Sequence, residues 1–162
     1  MHRFRSAVDG RFVSAETAAA DPDRHVRQTI QPLPEMRVEW MNGHFLKVHL
    51  GDGRVLHHFS GADGPDSDFH DHPFPADIHI LAGGYVEQVM QLDGSVQEVE
   101  RRTDDRFRNE AGTIHRIIHL TSPFVITEFK PGQHERKPGF YRFEGGQVFH
   151  RFWDQADFSP LG

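Results

Sequence analysis

The stretch Gly64-Pro65-Asp66-Ser67-Asp68-Phe69-His70-Asp71-His72-Pro73-Phe74-Pro75-Ala76-Asp77, followed by the pair Gly83-Gly84, decides how this chain is read. Side chains alternate between the two faces of a strand, so His70 and His72 point the same way one pleat apart. A second segment, Gly112-Thr113-Ile114-His115, comes later in the chain. Two imidazoles on one face, a carboxylate at Asp77 and a third imidazole from another strand make a mixed nitrogen and oxygen shell. Such a shell suits a divalent first-row transition metal: iron, manganese, zinc or nickel.

Outward from this stretch the pattern is strand after strand. Residues 37–41 and 44–50 are separated by Asn42-Gly43, a two-residue hairpin signal. Residues 44–50 and 54–59 flank Gly51-Asp52-Gly53, 85–92 and 95–101 flank Asp93-Gly94, and 140–144 and 147–153 flank Gly145-Gly146. Between them, 77–81, 113–120 and 124–130 are rich in Ile, Val and Phe. Roughly ten short strands at turn-marked intervals mean an all-β sandwich or barrel over 36–158. A turn of helix is expected only near 154–158, and 159–162 reads as a tail. On 113–120, His115, Ile117 and His119 share one face while Ile114, Arg116, Ile118 and Leu120 share the other. Apolar groups on both faces require the outer one to be covered, by the amino-terminal arm or by a second subunit in a homodimer.

Residues 1–35 differ from the rest. Helix formers at 15–20 give way to Asp21-Pro22-Asp23, and Gln31-Pro32-Leu33-Pro34 imposes extended backbone. The segment reads as an arm with one short helix.

Composition narrows the function. A chain of 162 residues with 36% hydrophobic content has a core for a single domain. The absence of cysteine rules out disulfides, iron–sulfur clusters and a thiol nucleophile, and a reducing cytoplasm is the natural setting. A net charge of −6 argues against a nucleic-acid surface, which needs clustered Lys and Arg. No apolar run approaches the length of a membrane span. Asp66, Asp68 and Asp71 lack the spacing of an EF-hand, and no P-loop, nucleophile elbow or dinucleotide fingerprint is present.

The pattern resembles the cupin superfamily. Its first motif, G-x5-H-x-H-x3,4-E-x6-G, fits from Gly64 through His70 and His72 to Gly84, with Asp77 in place of Glu. Of the second, G-x5-P-x-G-x2-H-x3-N, only Gly112-x2-His115 fits: Glu110 stands for Pro and His119 for Asn. The segment 56–87 is also similar to small cupin-like proteins encoded by phages and prophages. The resemblance implies a jelly-roll β-barrel with a metal in its mouth, held by His70, His72, Asp77 and His115. Asp77 is a methylene shorter than Glu, and Pro73 and Pro75 disturb strand counting. Should Asp77 miss the ion, a three-histidine site remains, with His79 as a fourth ligand or a pocket-lining neighbour and His119 on the pocket wall. Tyr85, Glu128 and Tyr141 are available as general bases but read as structural. The function expected is that of a metal-dependent enzyme on a small organic molecule. It would be dioxygenase-like, or an isomerase with zinc or manganese. The alternatives are a small-ligand-binding cupin and a phage-related scaffold.

Overall fold

The chain divides into two compact units, Met1–Pro34 and Glu35–Gly162. The structure, a computed structural model, describes residues 36–161 and, in the first unit, the backbone of strands β1 (His2–Ser6), β2 (Phe12–Val13) and β3 (His25–Thr29). These three form an antiparallel sheet of order β2-β1-β3, with Phe4 opposite both Val13 and Arg27. The helix expected at 15–20 lies outside the described residues.

The second unit is all β. Its strands are β4 (Arg37–Asn42), β5 (Phe45–His49), β6 (Val55–Phe59), β7 (Phe69–His70), β8 (Ala76–Ala82), β9 (Gly84–Met90) and β10 (Val96–Arg102). They continue with β11 (Arg106–Asn109), β12 (Ile114–Leu120), β13 (Val125–Pro131), β14 (Gly139–Glu144), β15 (Gln147–Phe152) and β16 (Ser159–Pro160). A 7-stranded sheet has the order β10-β9-β12-β7-β14-β15-β16, and a 6-stranded sheet the order β11-β8-β13-β6-β5-β4. From β6 to β9, and again from β10 to β14, each connection carries the chain from one sheet to the other. This alternation makes the unit a jelly-roll sandwich. No helix occurs among the described residues, and 154–158 is a run of turns and bends. Ser159–Pro160, within the segment expected to trail as a tail, pairs with Phe149 and His150.

Turn chemistry explains the hairpins. Gly145 and Gly146 have φ of +59° and +83°, the pair of left-handed residues that a two-residue hairpin needs between Glu144 and Gln147. The first hairpin turns one residue later than Asn42-Gly43 suggests. Asn42 pairs with Phe45, its Oδ1 accepts the His44 amide at 3.0 Å, and the register shift falls at Met41.

Between the sheets lies a core of Ile80, Tyr85, Ile117 and Val125, extended by Val55, Ala76 and Phe129. A second cluster joins Phe69, Met90, Ile114, Tyr141 and Val148. It occupies the opposite face of the 7-stranded sheet from His70 and His115, because Phe69 and Ile114 are their immediate neighbours in strand. The guanidinium of Arg116 lies 4.1 Å from the Phe69 ring centroid on that face. For Ile114, therefore, the cover expected over the second face of β12 comes from the domain itself.

The passage from β8 to β9 is tight. A Cβ on Gly83, whose φ is +76°, would strike the backbone oxygen of Phe124 and the Ser122 hydroxyl. Gly53 has φ +89° but open space around it. Gly83→Ala should lower the stability to urea by clearly more than about 1 kcal/mol, and Gly53→Ala by less, since only the first adds a collision to the backbone strain. Equilibrium unfolding of the two variants checks this.

Candidate metal centre

Strand β7 is only two residues long, yet it is paired on both sides: His70 stands opposite His115 of β12 and opposite Phe140 of β14. Cross-strand partners project from the same face, so the His70 and His115 rings meet with centroids 4.9 Å apart. His72 follows just beyond the strand, its amide held by the carbonyl of Ala111 at 3.1 Å. Its ring completes the group at 5.3 Å from His70 and 5.1 Å from His115. One nitrogen from each ring lies within 4.8 Å of the others. Nε2 of His72 and Nε2 of His115 are 2.9 Å apart. Two imidazole nitrogens bound to one ion at roughly 2.1 Å each would be about 3 Å apart, so the spacing fits shared coordination.

Asp71, between the two histidines, points the other way and is buried. Its Oδ1 accepts the Gly139 amide at 2.7 Å, its Oδ2 accepts the Tyr141 hydroxyl at 2.7 Å, and Arg136 lies 3.0 Å from Oδ2. These bonds tie the backbone that carries His70 and His72 to the start of β14.

Behind His115 sits Glu87, 1% exposed. Nδ1–H of His115 donates to Glu87 Oε2 at 2.8 Å, and Nε–H of Arg101 donates to Oε1 at 2.7 Å. Burial pushes the Glu87 carboxyl up, but the bonds and charges of His115 and Arg101 outweigh it and leave the acid below its ordinary range. An ionised Glu87 keeps the proton of His115 on Nδ1 and leaves Nε2 as a bare lone pair facing the other histidines. Burial first, and the neighbouring His115 second, hold His70 down to about 4 and His72 well below its ordinary value. Both are therefore neutral, the form that binds metal, at physiological pH.

The other sequence candidates lie elsewhere. Asp77 is directed outward, its side chain 62% exposed and 3.0 Å from Arg108. The Pro73-Phe74-Pro75 segment carries the chain from β7 in one sheet to β8 in the other, so Asp77 does not continue the strand of His70. Ala76, buried at 2%, takes the inward position instead. His79 shares the outward parity of Asp77 and lies 3.9 Å from Asp104, outside the lining of the histidine cavity. His119 is exposed because the register slips between Ile117 and His119, and the extra residue Ile118 turns the following side chain to the other face. No fourth protein ligand joins the three histidines among the described residues.

The histidines open on a cavity of about 110 Å³. Phe45, His57, Phe59, Ile78 and Phe129 wall one side, and Asp63 and Asn109 contribute polar groups. The His57 ring stacks on Phe129 at 4.7 Å and meets Phe45 edge-on at 5.1 Å. Glu87, Asp63 and His57 were not among the site candidates of the sequence. Glu87 alone left a signal there, as an acid on the inward parity of Tyr85 in a strand rich in apolar residues.

No family model and no curated protein matches the chain. Solved structures do. The cupin domain of CENP-C from Drosophila melanogaster is similar at a TM-score of 0.51 and 10% identity, covering 64% of this chain and 84% of that one. Hydroxypropylphosphonic acid epoxidase from S. wedmorenis is similar at a TM-score of 0.48 and 13% identity, covering 63% of this chain and 58% of that one.

Glu87→Gln removes the charge that orients His115 and should weaken metal binding about 10–100-fold, measured by competition with a chromophoric chelator. A second outcome concerns His57, which burial, helped by Lys47 and His49, holds down to about 3. Its folded value lies below its unfolded one, so the unfolded chain takes up the proton first and stability is lost as pH falls from about 6.5 toward 3. Between pH 7 and pH 5 the wild type should lose about 1–2 kcal/mol more than His57→Phe, read from urea unfolding of the metal-free protein.

Proposed function

We propose that this chain, which has the cupin fold, is a metal-dependent enzyme of dioxygenase-like class acting on a small organic molecule. The observation behind the reading is the convergence of His70, His72 and His115 on one point beside a cavity. An inward-facing trio of imidazoles, His115 buried and His70 and His72 half-buried, with no hydrogen-bonding acid between the rings has little structural purpose of its own. Its nitrogen set fits a divalent first-row ion and leaves coordination positions open. A ferrous ion there would supply a place for dioxygen and an organic substrate to bind side by side.

The chain's own residues set the conditions for that chemistry. Glu87 and Arg101 fix the ring of His115 and the tautomer it presents. Asp71 holds the spacing of His70 and His72 through Gly139 and Tyr141. Phe45 and Phe59, stacked at 4.6 Å, limit water around the histidines. Asp63, whose Oδ2 accepts the Ile117 amide at 2.9 Å, is a carboxylate among the cavity-lining residues and the candidate to take a proton from an entering ligand.

Elemental analysis of the protein, isolated without a histidine tag, tests the reading. Iron near one equivalent is the expected result. Zinc or manganese in its place would move the chemistry to Lewis-acid catalysis, and protein that takes up none of these ions would overturn the proposal. His72→Ala and His115→Ala should each lose the metal and melt at a lower temperature. Asp77→Ala should retain it in full, because Asp77 is bound to Arg108 on the outside.

A further inference from the structure

We infer that the ligand of this site is a compact, uncharged molecule with an apolar body, attached through a single donor atom. The inference rests on the metal centre proposed above and adds to it the class of molecule admitted.

Size sets the first limit. The cavity measures about 110 Å³. An apolar cavity of about 150 Å³ admits benzene, so this one holds a body of roughly five or six heavy atoms. The walls set the second. Phe45, Phe59, Phe129 and Ile78 line the cavity beside the histidines, and the smaller polar part of its lining includes Asn42 and Asn109. A mainly apolar lining favours a ligand body of CH groups over a polyol, which needs a polar partner for every hydroxyl it buries.

Charge sets the third limit. No Lys or Arg lines the cavity among the described residues, and its formal negative charge is that of Asp63. A carboxylate or phosphate carried on the far end of a ligand would leave water without a protein cation to meet it. His57 does not supply one, since burial keeps its ring neutral. Lys47 lines an adjoining cavity that shares His57 and Phe129 as a wall, and its ammonium lies 5.2 Å from the Phe45 ring centroid. With three uncharged imidazoles as ligands, the charge of a divalent ion is left uncompensated. That favours a donor atom that gives up its proton on binding, through Asp63 to solvent, as a thiol, phenol or enol does.

Three thiols that share one heavy-atom skeleton separate these limits: 3-methylbutane-1-thiol, 3-sulfanylpropanoate and 2-(dimethylamino)ethanethiol. The full chain, loaded anaerobically with cobalt(II), is titrated with each. Binding is read from the sulfur-to-cobalt absorption in the near ultraviolet and corrected for the thiolate fraction of each probe. The apolar thiol should bind at least about tenfold more tightly than either charged one. Equal or tighter binding of the carboxylate would overturn the inference, and loss of that binding in Lys47→Met would place an anionic ligand against Lys47 instead. Equal or tighter binding of the ammonium probe would overturn it in favour of Asp63. Cobalt that gives no visible absorption in the wild type, or the same absorption in His115→Ala, would sink the metal centre itself. Cobalt bound through the histidines with the order of probes reversed would sink the ligand class alone.

Discussion

The pairing of a two-residue strand with both its neighbours is what the site hangs on. β7 contributes only Phe69 and His70, yet its place between β12 and β14 puts His70 directly opposite His115. Side-chain direction in a sheet has a period of two, so a slip of one residue in this register would turn Ile114 into the cavity and bury His115 among Phe69, Met90 and Tyr141. A strand this short has few ladder bonds to resist such a slip. Asp71 supplies what the ladder lacks. Its buried carboxylate takes an amide from Gly139 and a hydroxyl from Tyr141, both on β14. A carboxylate fixed at both oxygens cannot follow a slipped backbone without leaving a buried charge unpaired.

His70, His72 and His115, which the fold brings together, are legible in the sequence because their signal is local or carried by a motif. An alternating pair of histidines shows in any strand, and a distant Gly-x2-His was identified through the cupin resemblance. The jelly roll was legible for a similar reason, since turn residues punctuate almost every strand boundary. What escaped was geometry that no short stretch records. Asp77 and His79 would share the site only if the strand of His70 ran on, whereas Pro73 and Pro75 mark the passage to the other sheet. His119 kept the parity of His115 only on paper, because an extra residue at Ile118 has no sequence signature. Glu87 and His57 depend on the pairing of β9 with β12 and of β6 with β13, and such registers cannot be read from one chain.

The electrostatics of the interior run against those of the surface. The chain carries a formal charge of −6, and its outer strands are laced with pairs such as Arg54 with Asp52 and Arg102 with Glu100, both exposed and of small energetic weight. Inside, the charged pair nearest the histidines is Glu87 with Arg101, and the geometry there is much stricter. Arg101 is 22% exposed and lies 3.7 Å from the Phe107 ring centroid, so it is stacked as well as paired. Arg101 shares the negative charge of the Glu87 carboxylate, whose other oxygen orients the His115 ring.

That balance bears on what the cavity can accept. Because Glu87 is already satisfied by His115 and Arg101, its charge is largely compensated before any ion arrives. The histidines add none. A divalent cation at their focus would therefore bring an excess positive charge into an apolar enclosure whose lining acid, Asp63, is already bonded to the Ile117 amide. Low-dielectric surroundings make such an excess costly until a donor supplies negative charge at the ion. The demand for charge thus falls at one atom, beside a lining that is mainly apolar. A ligand that becomes anionic only where it touches the ion meets both demands at once.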